Sequence, residues 1–526
     1  MRVLLVEPAY RRLAPETKRR SQAKSDETLW YPPLGLMKLS RFHKDRGDEV
    51  VFAYGCDKSI VEPTDDAPAG QLRLFETWDR VYVTTLFTFE WRTTIETIKF
   101  YVEAAGRAKT KVFVGGVMAS LMPDDILAEI PVRVVTGVLT SPEQIGLPGD
   151  VNIDLLPPDY ELVDPSLYAT NDTYYGYTSR GCVNECPWCG VPRIEPQFIP
   201  YIDIKPTIRE LRRRYGDKPI LKLMDNNVLA SPKLARIVDD LVELGYGREA
   251  STDDDRPRQR VLDFNQGIDA RHLTDAKMQL LARLHISPMR IAFDQLRDKK
   301  YYVKAVALAR QHGVTQFSNY MLFNFHDTPG ELYERLRVNI EVNEQWRREE
   351  GDGFTGGIYS YPMRYAPIDE SEGAHANRER DYLAPERGGR RDLLNDAVWN
   401  RRFIRNVGVM SGAAHGAISP TPSLAWRTLG ATYEEFIANL YMPEAMLRNR
   451  NRYERRVYPG EPRRKQGTGD VEAFRAFILG RLKRPNEAFV GFHHAVGQNR
   501  RRAIQDCLKD CTDAETRKWL EFYLKK

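Results

Sequence analysis

Three cysteines, Cys182, Cys186 and Cys189, fall within eight residues in the run Ser179-Arg180-Gly181-Cys182-Val183-Asn184-Glu185-Cys186-Pro187-Trp188-Cys189. Thiolates at spacings of x3 and x2 can ligate three irons of one [4Fe-4S] cube and leave the fourth without a protein ligand, because cysteine sulfur is the usual ligand of such clusters. An iron left open can bind a cofactor. Zinc is the competing occupant of a short cysteine loop. It normally takes four ligands, commonly as two separated pairs, and no second Cys/His pair of that kind follows this loop.

The C-x3-C-x2-C spacing, with the aromatic Trp188 just before the last cysteine, resembles the motif of the radical S-adenosylmethionine superfamily. The resemblance implies that Cys182, Cys186 and Cys189 hold the cluster, that Trp188 packs near the adenine, and that the open iron is chelated by S-adenosylmethionine. It further implies reductive cleavage of that cofactor to a 5′-deoxyadenosyl radical, fed by a reducing electron donor of flavodoxin or ferredoxin type. The protein's share of such chemistry is to position the cofactor and shield the radical.

The elements around this loop have to be large. A chain of 526 residues with 42% hydrophobic content is long enough for about three domains. No run of about 18 apolar residues reads as a membrane span. Met1 to Pro8 reads as a short apolar strand rather than a secretory leader. Six cysteines are too few and too clustered for a disulfide framework, so a reducing, cytoplasmic setting is expected. Of the other three, Cys507 and Cys511 lie four apart in an expected helix and could meet as half of a second site.

Domains are expected at 1–150, 151–394 and 395–526. In the first, short β-branched runs at Val3–Val6, Glu49–Ala53, Arg80–Thr84, Lys111–Val114 and Arg133–Val135 alternate with helical patterns such as Leu34 to His43 and Thr93 to Ala105. That alternation predicts an α/β fold, a doubly wound parallel sheet with helices on both faces. The runs Tyr31–Leu36, Val114–Ser120 and Asp154–Tyr160 resemble the amino-terminal half of the cobalamin-binding class of the superfamily. Gly115 and Gly116 would let the backbone come close to a ligand at the carboxyl end of a strand. Many cobalamin proteins carry Asp-x-His-x-x-Gly after the first strand, and here Ala9-Tyr10-Arg11-Arg12 stands in its place. His43, among Arg41, Lys44 and Arg46, reads as a surface histidine. Cobalamin binding and a repurposed domain both remain open.

From Tyr174 to Pro367 the resemblance implies a partial (β/α)6 barrel of TIM type, where functional groups gather at the carboxyl ends of strands. Asp225, Asn226 and Asn227 follow the expected strand Ile220–Met224; the resemblance puts the amino group of S-adenosylmethionine there, and a helix cap is the alternative. Asp269 and Arg271, after Val261–Asn265, are candidates for its carboxylate or ribose, and Asp294 ends the strand Met289–Phe293. His326 and nearby tyrosines could supply a proton or hydrogen atom. Ala250–Pro257 and Asp369–Arg391 read as loops able to order over a substrate.

The carboxyl-terminal part is helical and basic. Residues 401–526 carry 24 Lys and Arg against 13 Asp and Glu, a net of +11 in a chain whose total is +5. Its densest stretch, Arg448–Arg456 continued by Arg463–Lys465, could bind a nucleic acid or another anionic molecule. The expected activity is radical C–H functionalisation of an unknown substrate, by methylation if cobalamin is bound. The alternative is a non-catalytic iron–sulfur protein that binds nucleic acid through its basic end.

Overall fold

The computed structural model describes residues 1–10, 29–61, 78–105, 111–253, 255–351, 353–368, 393–412, 414, 416–448 and 468–525. The fold is α/β with parallel sheets. The chain divides into two compact units, one made of residues 1–268, 274–287 and 366–382, the other of 269–273, 288–365 and 383–526.

In the first unit, β1 (Arg2–Glu7), β2 (Glu49–Tyr54), β3 (Arg80–Thr85), β4 (Val112–Gly116) and β5 (Arg133–Val135) form one sheet in the order β2-β1-β3-β4-β5. All its pairings are parallel. Side chains alternate between faces along a strand, and both faces are covered here. Leu4, Val6, Val81, Val83, Val112 and Val114 pack in one core. Val3, Leu5, Tyr82 and Phe113 pack in another with the helix Leu34–Asp45. Burial on both faces is why these strands read as continuous apolar runs. Each fully buried Val or Leu contributes roughly 1.5–3 kcal/mol, which makes β1, whose four central residues are buried, the anchor of the sheet.

His43 is a correction to the sequence reading. It is buried, with Nδ1 2.8 Å from Asp48 Oδ2 and Nε2 3.2 Å from the Tyr82 hydroxyl. Burial lowers its pKa against the pull of Asp48. A neutral ring then donates from Nδ1 to the carboxylate and accepts from the tyrosine. The helix turns Leu36, Met37, Leu39, Ser40 and His43 inward together, while Arg41 and Lys44 pair with Asp45 and Asp159.

The same unit holds β6 (Thr173–Gly176), β7 (Ile220–Leu223) and β8 (Val261–Phe264), parallel and in that order. The stretch expected as a loose loop before β8 is tied down: Ser251 bridges Gln259, and the buried Arg260 donates to both oxygens of Asp217 at 2.8 and 2.6 Å.

In the second unit, β9 (Met289–Arg290), β10 (Gln316–Phe323) and β11 (Gly357–Arg364) form a parallel sheet in the order β11-β10-β9. β6, β7 and β8 thus belong to the first unit and β9, β10 and β11 to the second. The helix Pro329–Glu350 opens with a capping box: Thr328 Oγ1 accepts from Glu331 N, and Glu331 Oε2 accepts from Thr328 N, which gives Glu331 an architectural role. The later helices pack around an aromatic core that includes Tyr441, Phe474, Phe477, Phe489, Phe492 and Trp519. Among the described residues, no helix is long and apolar enough to cross a membrane.

Candidate iron–sulfur site

The cysteine loop leaves the carboxyl end of β6. Pairing of Gly176 with Leu223 brings Thr178, two residues past β6, beside Asp225, two residues past β7. Asp225 is buried and its carboxylate accepts from Thr178 N at 3.1 Å, Thr178 Oγ1 at 2.7 Å and Ser179 Oγ at 2.6 Å. Burial pushes its pKa up against those bonds. The structure therefore employs Asp225 in fastening the first residues of the loop.

The next residues form a locked stem. Arg180 N donates to Ile199 O at 3.0 Å and Ile199 N to Arg180 O at 2.9 Å, so the loop folds back on itself. Gly181 has φ +71°, and a Cβ there would lie 2.4 Å from Gln197 O. Only glycine fits at this position. Its N–H donates to Glu195 Oε2 at 2.6 Å, while Glu195 Oε1 accepts from Arg180 Nη1 at 2.8 Å and Oε2 from Asn226 Nδ2 at 3.1 Å.

Arg180 also makes a two-pronged contact with Asp154, through Nε at 2.9 Å and through Nη2, and its guanidinium lies 3.5 Å over the Tyr177 ring. Lys38 Nζ donates to Asp154 Oδ1 at 2.8 Å. Burial would raise the Asp154 pKa, but the charges of Lys38 and Arg180 outweigh it and hold the carboxyl below its usual range. Lys38 itself is pushed down by burial, in opposition to Asp154. Two cations and two carboxylates balance, which is the condition under which buried charges persist. These groups form part of the wall of a cavity of about 780 Å³.

Beyond this stem stand the three cysteines, all half-buried. Cys189 N donates to Cys186 O at 3.0 Å, making a turn between the last two. The Cys182 sulfur accepts from Asn184 N at 3.4 Å and from Asn227 Nδ2 at 3.6 Å. Asn227 is 2% exposed, and its Oδ1 has no hydrogen-bond partner. Trp188 is half-buried on the same loop. Among the described residues, no three His, Cys, Asp or Glu side chains gather as a site for a single metal ion. Half-buried thiols on a pinned loop, with two N–H donors aimed at one sulfur, fit a [4Fe-4S] cluster.

The structure puts Cys182, Cys186, Cys189 and Trp188 on one loop, with Asn227 reaching the Cys182 sulfur and Asp225 and Asn226 holding the stem of that loop. Gly115 and Gly116 lie elsewhere in the first unit, at the end of β4. A Cβ on Gly116, at φ +106°, would lie 2.2 Å from Thr85 O, so close packing against β3 already requires that glycine. Asp269, Arg271 and Asp294 lie in the second unit. Asp269 and Arg271 pair with each other, Arg271 Nε to Oδ1 at 2.9 Å and Nη2 to Oδ2 at 2.7 Å. Asp294 is half-buried and accepts from Leu322 N at 3.1 Å, and desolvation pushes its pKa up. His326 is exposed and stacks near Phe325.

Cys511 N donates to Cys507 O at 3.0 Å, and the Cys511 sulfur donates to Asp513 O at 3.6 Å; this cysteine caps its helix. The loop expected from Asp369 and most of the basic stretch after Arg448 lie outside the described residues. Arg448 itself pairs with Glu444 at 2.7 Å.

Sequence reasoning missed Lys38, Arg180 and Glu195, and it assigned no role to Asp154. Arg180 stands two residues before the first cysteine, which was a usable signal. Glu195 carried none.

No family model matches the chain, and no curated protein matches it. Solved structures similar to it include the radical S-adenosylmethionine methyltransferase TsrM from Kitasatospora setae with cobalamin and [4Fe-4S] cluster bound, at 14% identity over 69% of this chain and 72% of that one, with a TM-score of 0.44. The same enzyme with tryptophan substrate and the analogue aza-SAM gives 16% identity over 69% and 73%, with a TM-score of 0.43. HydG, a maturase of the [FeFe]-hydrogenase, gives 12% identity over 66% and 80%, with a TM-score of 0.27.

Proposed function

We propose that this protein is a radical S-adenosylmethionine enzyme whose [4Fe-4S] cluster is held by Cys182, Cys186 and Cys189. The observation that carries the reading is the C-x3-C-x2-C loop itself, standing at the carboxyl end of a parallel strand on a stem fastened by Asp225 and Glu195. When bound, the cluster and S-adenosylmethionine supply reductive cleavage to a 5′-deoxyadenosyl radical for C–H functionalisation of a substrate.

The chain's own residues hold and orient. Glu195 and Asp154 fix Arg180 and Gly181 and so set where Cys182 emerges. The unpartnered Asn227 Oδ1 is an acceptor suited to the ammonium of S-adenosylmethionine, and Trp188 offers a ring for the adenine.

We read the first sheet as the candidate for a second cofactor. Its order β2-β1-β3-β4-β5 reverses between β1 and β3, and open α/β sheets take ligands beyond the carboxyl ends of the strands at such a point. There Leu86 and Phe87 are 39% and 45% exposed, Phe87 stacks on Phe89, and Leu86 N donates to the Tyr10 hydroxyl. An apolar floor of this kind suits a large ring such as cobalamin, bound without His43, which is committed to the core. Bound cobalamin points to methyl transfer to an unactivated carbon; its absence points to hydrogen abstraction followed by rearrangement, oxidation or coupling.

Metal analysis tests the cluster reading. Anaerobic reconstitution is expected to give iron and sulfide in near-equal amounts, lost on replacement of each of Cys182, Cys186 and Cys189 by alanine. Zinc without iron or sulfide would overturn it.

A further inference from the structure

We infer that Asn227 is a positioning residue that sets the reduction potential of the cluster through Cys182, an inference that rests on the cluster reading above. Asn227 is the last of three polar residues after β7, and its amide is buried at 2% exposure. Nδ2 lies 3.6 Å from the Cys182 sulfur, and Oδ1 has no partner. Leaving a buried amide oxygen unpaired costs about 1–3 kcal/mol. The sulfur contact is the hydrogen bond that its side chain makes, and it aims an N–H of the amide at a cysteine of the loop.

Hydrogen bonds to the sulfurs are among the factors that set the potential of an iron–sulfur cluster. Held by Cys182, Cys186 and Cys189, a cluster would take one electron from an external low-potential donor of flavodoxin or ferredoxin type and so go from the 2+ to the 1+ state. No bond is made or broken at Asn227, and no proton moves. The added charge is shared by the thiolate sulfurs, so an N–H donor favours the reduced state and raises the potential. Asn184 N also donates to Cys182, but that donor is main chain and survives any side-chain change. The Asn227 donor alone can be removed by substitution.

The test is an anaerobic potentiometric titration of the reconstituted full chain, without S-adenosylmethionine, followed by the electron paramagnetic resonance of the reduced cluster. Asn227→Leu removes the donor, and Asn227→Asp removes it and adds negative charge. Each is expected to lower the reduced-to-oxidised ratio at a fixed potential by about tenfold, ~59 mV for one electron, with the aspartate giving the larger shift.

Intact clusters at the wild-type potential in both Asn227 variants would overturn the role of Asn227 and leave the cluster reading standing. A wild type that takes up no iron and sulfide would overturn both. If the Asn227 variants hold no cluster, wild-type protein labelled with 15N only in asparagine side chains decides: a hyperfine coupling of that nitrogen to the reduced cluster supports the contact, and none refutes it.

Discussion

Replacing Glu195 by alanine should loosen the cysteine loop without disturbing the sheet beneath it. Three donors converge on this carboxylate, Gly181 N at 2.6 Å, Arg180 Nη1 at 2.8 Å and Asn226 Nδ2 at 3.1 Å, and its side chain is only 12% exposed. Each charge-assisted bond contributes about 1.5–3 kcal/mol. They share one acceptor and do not add. Removing one partner of a buried ion pair costs about 3–5 kcal/mol, although Asp154 still compensates Arg180, which favours the lower half of that range. At about 1.4 kcal/mol per factor of ten, the loop's opening equilibrium rises roughly a hundredfold to a thousandfold. Hydrogen exchange of metal-free full-length protein reads this directly in peptides spanning 178–190, because exchange tracks local opening. Amides of β1 and β3 should exchange as in wild type. Glu195→Gln, which keeps the shape and one oxygen, should fall between. Unchanged exchange of the loop in Glu195→Ala would refute the assignment of Glu195 as its fastener.

Two further outcomes follow from the geometry. Gly181→Ala forces a Cβ to within 2.4 Å of Gln197 O at a left-handed φ; the conformation alone costs about 1–2 kcal/mol and the clash adds to it, so iron content after reconstitution should fall well below wild type while the secondary structure seen by circular dichroism is retained. In the second unit, burial pushes the Asp327 carboxyl up to about 6 although Arg335 pulls it down. The folded state then holds a proton that the unfolded state, with its ordinary carboxyl, releases at lower pH. The Asp327 contribution to stability is full below the unfolded pKa of about 4 and is lost as pH rises through about 6. Denaturant titrations of the metal-free chain at several pH values should show this decline, and Asp327→Asn should flatten it.

Local pattern made much of this legible. The runs at Val3–Val6 and Glu49–Ala53 lie within β1 and β2 because parallel strands covered on both faces have to be apolar at consecutive positions. The cysteine motif was legible for the same reason, since its chemistry is contained in eight neighbouring residues. Glu195 was not, because it meets Gly181 only after the chain turns back at Ile199, and no motif marks that return. Lys38 and Arg180 are charged yet buried, which only their pairing with Asp154 explains. His43 was hidden by Arg41 and Lys44, which share its helix but not its inward face, and by Arg46 just past the helix end. Asp225 looked free for a ligand in sequence; the register between β6 and β7 supplies Thr178 and Ser179 as its partners.

The central claim is radical chemistry at the cysteine loop, and anaerobic turnover tests it most directly. Full-length protein reconstituted with iron and sulfide is reduced in the presence of S-adenosylmethionine and assayed for 5′-deoxyadenosine, with Cys186→Ala in parallel. The account predicts 5′-deoxyadenosine from wild type and none from the variant. An intact, reducible wild-type cluster that yields none, and whose paramagnetic resonance S-adenosylmethionine leaves unchanged, would contradict it.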